Sequence, residues 1–350
     1  MDRVEKYIRS GIKKNIYTAA SLRIVHHEKT SFDKAFGLLD PADPSRKVEA
    51  SSLFDLASLT KVFVATAFMR LVEDGQISLD RPVVDVIPQF SGNYKNKVTF
   101  CHLLSHSSGL PASVDLYQNG EWKQGKEVVL QKLISTALVF KPGTRVIYGC
   151  PGFIILGYAM ERIAGSRLDK VLTQLLFRPL RWKDILYKPG AEFMERIVVT
   201  TYERPNRGKI TPGTVHDGSA IALNGGISGN AGLFGTADLV SALGELFYNG
   251  TFLQQRTIDE MTRLQAQFGG ERRGLGWKLH SNDRSNPARV FSESSFGHTG
   301  FTGTLLWVDP KNKLVVTFLT NSVHFYKDKT DAEKFNVFRL GLYEEILNEL

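Results

Sequence analysis

The hydrophobic positions at the start of the chain change their spacing within the first 40 residues. An apolar residue recurs every four positions over residues 4–14, which predicts a helix. Apolar and polar residues then alternate around Leu22 and Ile24, as they do in a strand with one buried face. A second strand is predicted from Phe32 to Phe36. The chain therefore opens with a helix followed by two strands.

The end of the chain repeats these elements in the opposite order. Strand-forming residues run from Phe301 to Val308 and from Leu314 to Leu319, and the Asp-Pro-Lys-Asn segment 309–312 predicts a turn between them. A final helix is predicted because four apolar residues share one helical face. These residues are Phe335, Phe338, Leu342 and Ile346. Packed together, the two chain ends would form an antiparallel sheet flanked by terminal helices.

The middle of the chain has mainly helical spacing. One helix is predicted over residues 58–74, ending before Gly75, and loops rich in Gly, Pro and Asn separate the later ones. Further helical patterns cover residues 126–138, 152–164, 167–176 and 236–248. The predicted fold class is α/β (α+β), a single domain over residues 1–350. Its α/β lobe would comprise residues 1–57 and 288–350, and an inserted, mostly helical lobe residues 58–287.

Composition and charge narrow the class of partner. The chain has 350 residues, 42% hydrophobic and 23% charged, as in an ordinary globular protein. A net charge of +8 is compatible with nucleic acid, a membrane surface or an anionic polymer. We expect no nucleic-acid partner, because the sequence contains no long run of like charge and no nucleic-acid-binding signature. The oligomeric state stays open.

The two cysteines do not indicate a disulfide-rich or zinc-binding protein. Cys101 and Cys150 are too few for a disulfide framework and lack zinc-binding spacing, although they could form one disulfide bond with each other. We expect no metal and no organic cofactor.

The apolar runs and the first residues bear on cellular location. No apolar run is long enough to cross a bilayer, and residues 1–6 have mixed charge, unlike a signal peptide. This predicts a cytoplasmic protein, or an exported one if a leader precedes this sequence.

Three serines precede a lysine by three residues, and their settings differ. Ser10 lies near the end of a charged surface helix. Ser31 begins a predicted strand, in which positions i and i+3 point to opposite faces. Ser58 follows residues 54–57 and opens a strongly apolar helix, in which Lys61 shares its face. Ser58 and Lys61 are therefore the candidates for chemistry.

The spacing of Ser58 and Lys61 suits nucleophilic catalysis. Side chains at i and i+3 on a helix lie about 5–6 Å apart at Cβ, so the lysine can reach the hydroxyl. Burial beside the apolar residues 62–64 would lower the pKa of Lys61 and let it act as a base. The helix N-terminus offers N–H groups to an oxyanion. A serine cap followed by a surface lysine fits this motif equally well.

Two later patterns add to the candidate site. Tyr148 could relay a proton, although by itself a core tyrosine is the simpler interpretation. The tripeptide His298–Gly300 reads His-Thr-Gly, and its small residues would let a substrate approach a strand edge. The backbone N–H of Phe301 could then be a second oxyanion donor beside that of Ser58.

These patterns occur in the order of the penicillin-recognising enzymes, and longer segments share the likeness. The chain resembles the class C β-lactamase-like family, which includes D-Ala peptidases, esterases and amidases. In particular it resembles a branch with low-molecular-weight penicillin-binding proteins and cell-wall amidases. The segments that carry the resemblance are Phe54–Lys61, His102–Pro111, Val215–Asp217, Gly229–Phe234 and Gly274–Trp277.

The resemblance implies roles for the matching residues. Ser58 would be acylated, Lys61 would be its base partner and Tyr148 would assist proton transfer. His298 and Thr299 would line the site and orient the substrate. The family's fold is an α/β lobe plus a helical lobe, with the site between them.

The sequence departs from the family pattern at three places. Cys150 stands where the family has Asn or Asp after the tyrosine, His298 stands in place of the Lys of Lys-Thr-Gly, and Asn230 replaces a histidine. Cys150 would still line the substrate site, but because of these changes the sequence does not identify the substrate.

The leading hypothesis is a serine hydrolase that forms an acyl-enzyme on an amide or ester. Its substrate would be a small molecule or a peptidoglycan fragment, such as a cell-wall peptide or muramyl amide, or a β-lactam. The alternatives are a non-catalytic penicillin-binding or sensor protein and a small-ester carboxylesterase.

Overall fold

A computed structural model describes residues 1–116, 120–204, 208–209, 211–283, 286–326 and 329–350. The helices are α1 Asp2–Lys13, α2 Thr60–Glu73, α3 Phe100–Leu104, α4 Lys126–Ser135, α5 Pro151–Ala164, α6 Leu168–Leu172, α7 Gly218–Ile221, α8 Ala237–Asn249, α9 Gln255–Thr262 and α10 Lys329–Glu349. The strands are β1 Ala19–His26, β2 Lys29–Gly37, β3 Phe54–Asp55, β4 Ile185–Tyr187, β5 Glu203–Arg204, β6 Gly208–Lys209, β7 Leu233–Gly235, β8 Ala266–Phe268, β9 Glu271–Arg273, β10 Lys278–Leu279, β11 Phe296–Thr299, β12 Leu305–Asp309 and β13 Leu314–Thr320.

Strands from both chain ends meet in one antiparallel sheet. Among the described residues, eight strands pair in the order β2-β1-β13-β12-β11-β10-β9-β8. The N-terminal strand β1 pairs with the C-terminal strand β13, in a register that places Ile24 opposite Val316. The predicted fold class, an antiparallel sheet flanked by terminal helices with helices inserted between, is confirmed. A smaller sheet, β3-β7-β4, lies next to the start of α2.

Helices cover both faces of the large sheet. Helices α1 and α10 pack together over one face, where Val4 and Ile8 meet Phe338 and Leu342 in a common core. Helix α8 lies on the other face against β1, β12 and β13. It approaches closely at Gly244, where a Cβ atom would lie 2.9 Å from a methyl group of Val315. Burial of both faces explains the apolar runs in β12 and β13.

Helix α2 is enclosed by the rest of the protein. Each residue from Thr60 to Met69 is buried, so the helix is apolar on almost every side. The helices predicted over 152–164 and 236–248 are also present, as α5 and α8. The long helical prediction over 167–176 is divided between α6 and a wider helical turn, Thr173–Phe177.

Within the large sheet, the structure differs from the sequence prediction in two places. The strand predicted from Phe301 to Val308 begins only at Leu305, because residues 300–304 form a turn whose polar groups contact the segment before Ser58. The large sheet also takes in β8 to β10, from the range 58–287 that was predicted to form the helical lobe. The division into two lobes stays a prediction.

We expect Asn321→Ala to lower the free energy of unfolding by about 2–4 kcal/mol. The side chain of Asn321 is 1% exposed, and its Oδ1 accepts from the backbone N–H groups of Thr18 and Ala19, each at 3.0 Å. Its Nδ2 donates to Val199 O at 2.8 Å, so one amide joins three segments of chain. Urea unfolding measures the loss. Asn249→Ala, at an exposed helix end, is the control and should change stability by about 0.5 kcal/mol or less.

Candidate active site

A sharp turn precedes Ser58. Ala57 has φ +47°, in the left-handed region that alanine rarely occupies. The carboxylate of Asp55 holds this turn, since it accepts from Ala57 N–H at 2.9 Å and from His216 N–H at 2.6 Å. Strain of this kind is found where function requires a particular geometry. Here the turn places Ser58 immediately before α2, with its side chain half-buried.

Lys61 lies one helical turn after Ser58 and is 0% exposed. Its Nζ donates to Ser58 Oγ at 2.9 Å and to the backbone carbonyl of Asn230 at 2.9 Å. The alternative interpretation of the motif, a surface lysine behind a serine cap, is therefore wrong. The structure brings the two candidate residues into direct hydrogen-bonding contact.

The charge state of Lys61 differs from the sequence expectation. Burial lowers the pKa of Lys61, as predicted. The opposite effect comes from neighbouring groups, which raise this pKa through their negative charges when ionised and, for Tyr148, also through hydrogen bonding; these groups are Tyr148, Cys150 and Asp217. The net result is a pKa above the ordinary value for lysine. The predicted lowering is wrong in its net direction, because neighbouring groups distant in sequence outweigh desolvation.

Tyr148 lies at the centre of a cluster of cationic and imidazole side chains. Its ring is 36% exposed, and its centroid is 5.2 Å from Lys61 Nζ, 4.8 Å from the His106 ring and 5.6 Å from the His298 ring. The following residue has to be glycine, because a Cβ atom at Gly149 would lie only 2.6 Å from the carbonyl oxygen of Ala112. The tyrosine is thus placed beside Lys61, the partner of Ser58.

Cys150 borders the same cluster at the start of α5. Burial raises the pKa of its thiol, while the charge of Lys61 and a hydrogen bond with Asn230 lower it; the net direction is upward. The thiol is therefore protonated at neutral pH. Asn230 in turn donates to Asp217 Oδ1 at 3.2 Å and accepts from Ser228 Oγ at 2.6 Å. Asn230 and Asp217 are thus hydrogen-bonded to each other next to Lys61.

The predicted His-Thr-Gly segment lies at the end of β11. His298 is buried, and its Nδ1 donates to Thr299 O at 2.8 Å. Burial, followed by the charges of Arg273 and Lys61, holds the pKa of His298 well below its ordinary value. His298 is therefore neutral at neutral pH and cannot supply the positive charge of the lysine it replaces.

Position 300, at the end of strand β11, packs so closely against the turn before Ser58 that only glycine leaves enough space. A Cβ atom at Gly300 would lie 2.6 Å from the carbonyl oxygen of Leu56 and 3.2 Å from Ala57 Cβ. Thr302 Oγ1 donates to Asp55 O at 2.7 Å, and Thr304 Oγ1 donates to Leu56 O at 3.0 Å. These contacts fix the segment that contains Phe301 relative to the turn before Ser58.

Arg273 is a site residue that the sequence did not predict, and its guanidinium carbon lies 4.8 Å from the centre of the Tyr148 ring. It precedes the Gly-Leu-Gly-Trp segment 274–277, which the resemblance had already singled out. Within that segment Gly276 donates to Leu104 O at 2.9 Å, and a Cβ atom there would lie 2.5 Å from Ala65 Cβ in α2. Packing of this segment against α2 brings the arginine to the site.

Within the described ranges, no group of three or more His, Cys, Asp or Glu side chains could hold a metal ion. In the same residues, no helix is both long and apolar enough to cross a membrane.

A serine beside a buried lysine, with a tyrosine and a His-Thr-Gly strand around them, is the arrangement of the penicillin-recognising serine enzymes. The sequence model of the β-lactamase family matches residues 4–338. This chain belongs to the β-lactamase family.

The proteins similar to this chain include one named as a carboxypeptidase, one named as an amidase and a penicillin-binding protein homologue. An Escherichia coli (strain K12) protein named "Putative D-alanyl-D-alanine carboxypeptidase" is 28% identical over 88% of this chain and 79% of its own length. The N-acetylmuramyl-L-alanine amidase of Bacillus subtilis (strain 168) is 31% identical over 79% of this chain and 70% of its own. The octameric penicillin-binding protein homologue of Pyrococcus abyssi shares the fold, with a TM-score of 0.78, 21% identity, and coverage of 99% of this chain and 77% of that one.

We expect Gly300→Ala to lower kcat/KM for an activated ester by about 100-fold or more, the loss typical when an oxyanion donor is misplaced. The added methyl group has to push β11 away from Leu56 O, a backbone atom that cannot rotate aside. Gly75→Ala is the control, since a Cβ atom at Gly75 meets nothing within 4 Å. It should cost about 1 kcal/mol of stability, because φ is +70° there, and leave kcat/KM unchanged.

Proposed function

We propose that this protein is a serine hydrolase that forms an acyl-enzyme on Ser58 and acts on an amide or ester. The observation that carries the proposal is the 2.9 Å hydrogen bond from the buried Lys61 Nζ to Ser58 Oγ. A cation at this distance lowers the free energy of the alkoxide that has to form when the hydroxyl attacks a carbonyl carbon. No metal or organic cofactor enters the proposed reaction.

The base in this proposal is the Lys61–Tyr148 pair after it has lost one proton. Lys61 Nζ lies 5.2 Å from the centroid of the Tyr148 ring, so the two side chains can act together on the proton of Ser58. Ser58 gives its proton to the pair as Oγ bonds to the carbonyl carbon, and the pair returns that proton to the departing amine or alcohol. Water then attacks the acyl-enzyme, and the same transfers release the acid and restore Ser58.

The negative oxygen of the tetrahedral intermediate would lie between two backbone N–H groups, those of Ser58 and Phe301. The close contact of Gly300 with Leu56 supports this placement, because it holds the two backbone segments together. Thr299, half-buried beside this contact, would bind the substrate along β11. Backbone donors held rigidly in this way need no rearrangement during the reaction.

The substrate class that we propose is an amide derived from peptidoglycan, such as a cell-wall peptide or a muramyl amide. The names of the relatives from Escherichia coli and Bacillus subtilis support this class, since both refer to alanine-containing wall peptides. The net charge of +8 also suits an anionic wall fragment.

One observation favours a small carboxylic ester as the second candidate substrate. His298 is buried and neutral, so this position offers no positive charge to a substrate carboxylate. The replacement of the family's lysine by a neutral histidine would not weaken the binding of a substrate that has no carboxylate. The ratio of kcat/KM for an activated ester to that for a D-Ala-D-Ala peptide distinguishes the two classes: a ratio above about 1,000 favours an esterase.

A non-catalytic binding or sensor protein is the remaining alternative, and Cys150 is the residue that motivates it. Its protonated thiol stands where the family has an amide or carboxylate, and it is a weak hydrogen-bonding group. Such a protein would bind wall fragments, or be acylated by β-lactams, without turnover.

We expect an activated ester or a penicillin to add one acyl group to Ser58, and Ser58→Ala to abolish the adduct. Loss of the nucleophile should reduce kcat/KM for the ester by about 1,000-fold or more. Intact-mass spectrometry detects the adduct, and peptide mapping locates it.

Ser31→Ala is the matched control, because Ser31 also precedes a lysine by three residues but is exposed on β2. It should be acylated as the wild type is. An adduct that decays with product release supports the hydrolase, whereas a stable adduct supports the binding protein. If folded wild type forms no adduct and Cys150→Asn does, the thiol blocks catalysis; no adduct on either would refute the proposed function.

A further inference from the structure

The guanidinium of Arg273 is buried next to the proposed catalytic groups. Arg273 is 4% exposed, lies over the Tyr148 ring at 4.8 Å, and donates to Glu271 Oε2 at 2.8 Å. Within the described residues, its Nε atom has no hydrogen-bond partner. Burial of a guanidinium with an unpartnered nitrogen costs free energy, which the ion pair with Glu271 offsets only in part.

Two imidazole rings flank Tyr148, and hydrogen bonds fix the tautomer of each. His106 Nδ1 accepts from the backbone N–H of Gly149 at 3.4 Å, so this nitrogen carries no proton. His298 Nδ1 donates to a carbonyl oxygen, that of Thr299, so the proton of this ring is on Nδ1. The Nε2 atoms of both rings are buried without a hydrogen-bond partner among the described residues.

Gain of a second proton by either ring would disturb Tyr148. A proton on Nδ1 of His106 would remove the acceptor of Gly149 N–H, the residue directly after Tyr148. A proton on Nε2 of His298 would bury a charged donor without an acceptor, beside two other positive charges. The geometry around Tyr148 therefore requires both rings to be neutral.

Most charged groups around these rings are positive. Burial, then the charge of Arg273, then that of Lys61 hold the pKa of each histidine well below its ordinary value. The titratable groups that face the cluster are Lys61 on α2, His106 after α3, Cys150 before α5, Asp217 before α7, Glu271 and Arg273 on β9, Lys278 on β10 and His298 on β11.

We propose that Arg273 is a positioning residue for acyl transfer: its guanidinium, buried over the Tyr148 ring, supports that ring between His106 and His298, and its charge adds to burial in disfavouring a second proton on either imidazole. Arg273 acts through these side chains and does not touch the reacting atoms. The inference rests on the proposed function at Ser58.

The test compares Arg273→Met with Arg272→Met, which removes the same charge from the adjacent position of β9. The side chain of Arg272 points away from this site and donates to the backbone carbonyl of His280. Arg273→Lys keeps a charge and guards against loss of fold in the methionine variant. Thermal unfolding confirms that each variant is folded.

In Arg273→Met we expect His106 and His298 to gain protons at higher pH than in wild type. The ratio of variant to wild-type kcat/KM for an activated ester should fall by about threefold or more between about pH 8 and about pH 5.5. Arg273→Lys and Arg272→Met should keep this ratio constant over the same range. NMR titration of the imidazole Cε1–H signals, assigned with His106→Asn and His298→Asn, measures the protonation directly.

Unchanged imidazole titrations and a pH-independent ratio in folded Arg273→Met would overturn the inference, even if the wild type is an active hydrolase. The same applies if Arg272→Met produces an equal shift. Failure of the proposed function is a separate outcome, seen as wild-type protein that forms no adduct on Ser58.

Discussion

The burial of one lysine charge is the constraint on which the site depends. Lys61 is enclosed in α2, where an ammonium without partners would cost several kcal/mol. Its partners come from two places, the hydroxyl of Ser58 one turn earlier and the carbonyl of Asn230 far along the chain. Because the charge has to be satisfied, the helix, the turn before it and the loop at Asn230 keep fixed positions. The interaction that offsets the cost of burial also orients the nucleophile.

The large sheet connects this lysine to the opposite side of the site. Strand β11 is an inner strand held by β10 and β12, and the turn after it touches the segment before Ser58 through Gly300. The threonine hydroxyls of that turn bond to backbone carbonyls and not to other side chains, so the contact fixes main chain against main chain. The sheet built from the two chain ends thereby determines where a substrate carbonyl can lie.

Electrostatics distinguish this site from the family pattern that the sequence suggests. Lys61 Nζ and the guanidinium carbon of Arg273 lie 5.2 Å and 4.8 Å from the centroid of the Tyr148 ring, while the histidine of His-Thr-Gly is neutral and the thiol of Cys150 is protonated. Positive charge is therefore present in the site, but it lies next to the tyrosine and not at the histidine position of β11. This difference bears on which substrates the protein accepts.

The sequence by itself determined the fold class, the β-lactamase-like resemblance and the pairing of Ser58 with Lys61, because helical and strand periodicity and i, i+3 spacing are local properties. It could not give the net pKa shift of Lys61 or the start of β12 at Leu305, since both depend on residues distant in sequence. Arg273 was missed for the same reason: only the packing of residues 274–277 against α2 brings it to Tyr148. Local pattern specifies the elements and the nucleophile, whereas long-range contacts and burial decide the charges around them.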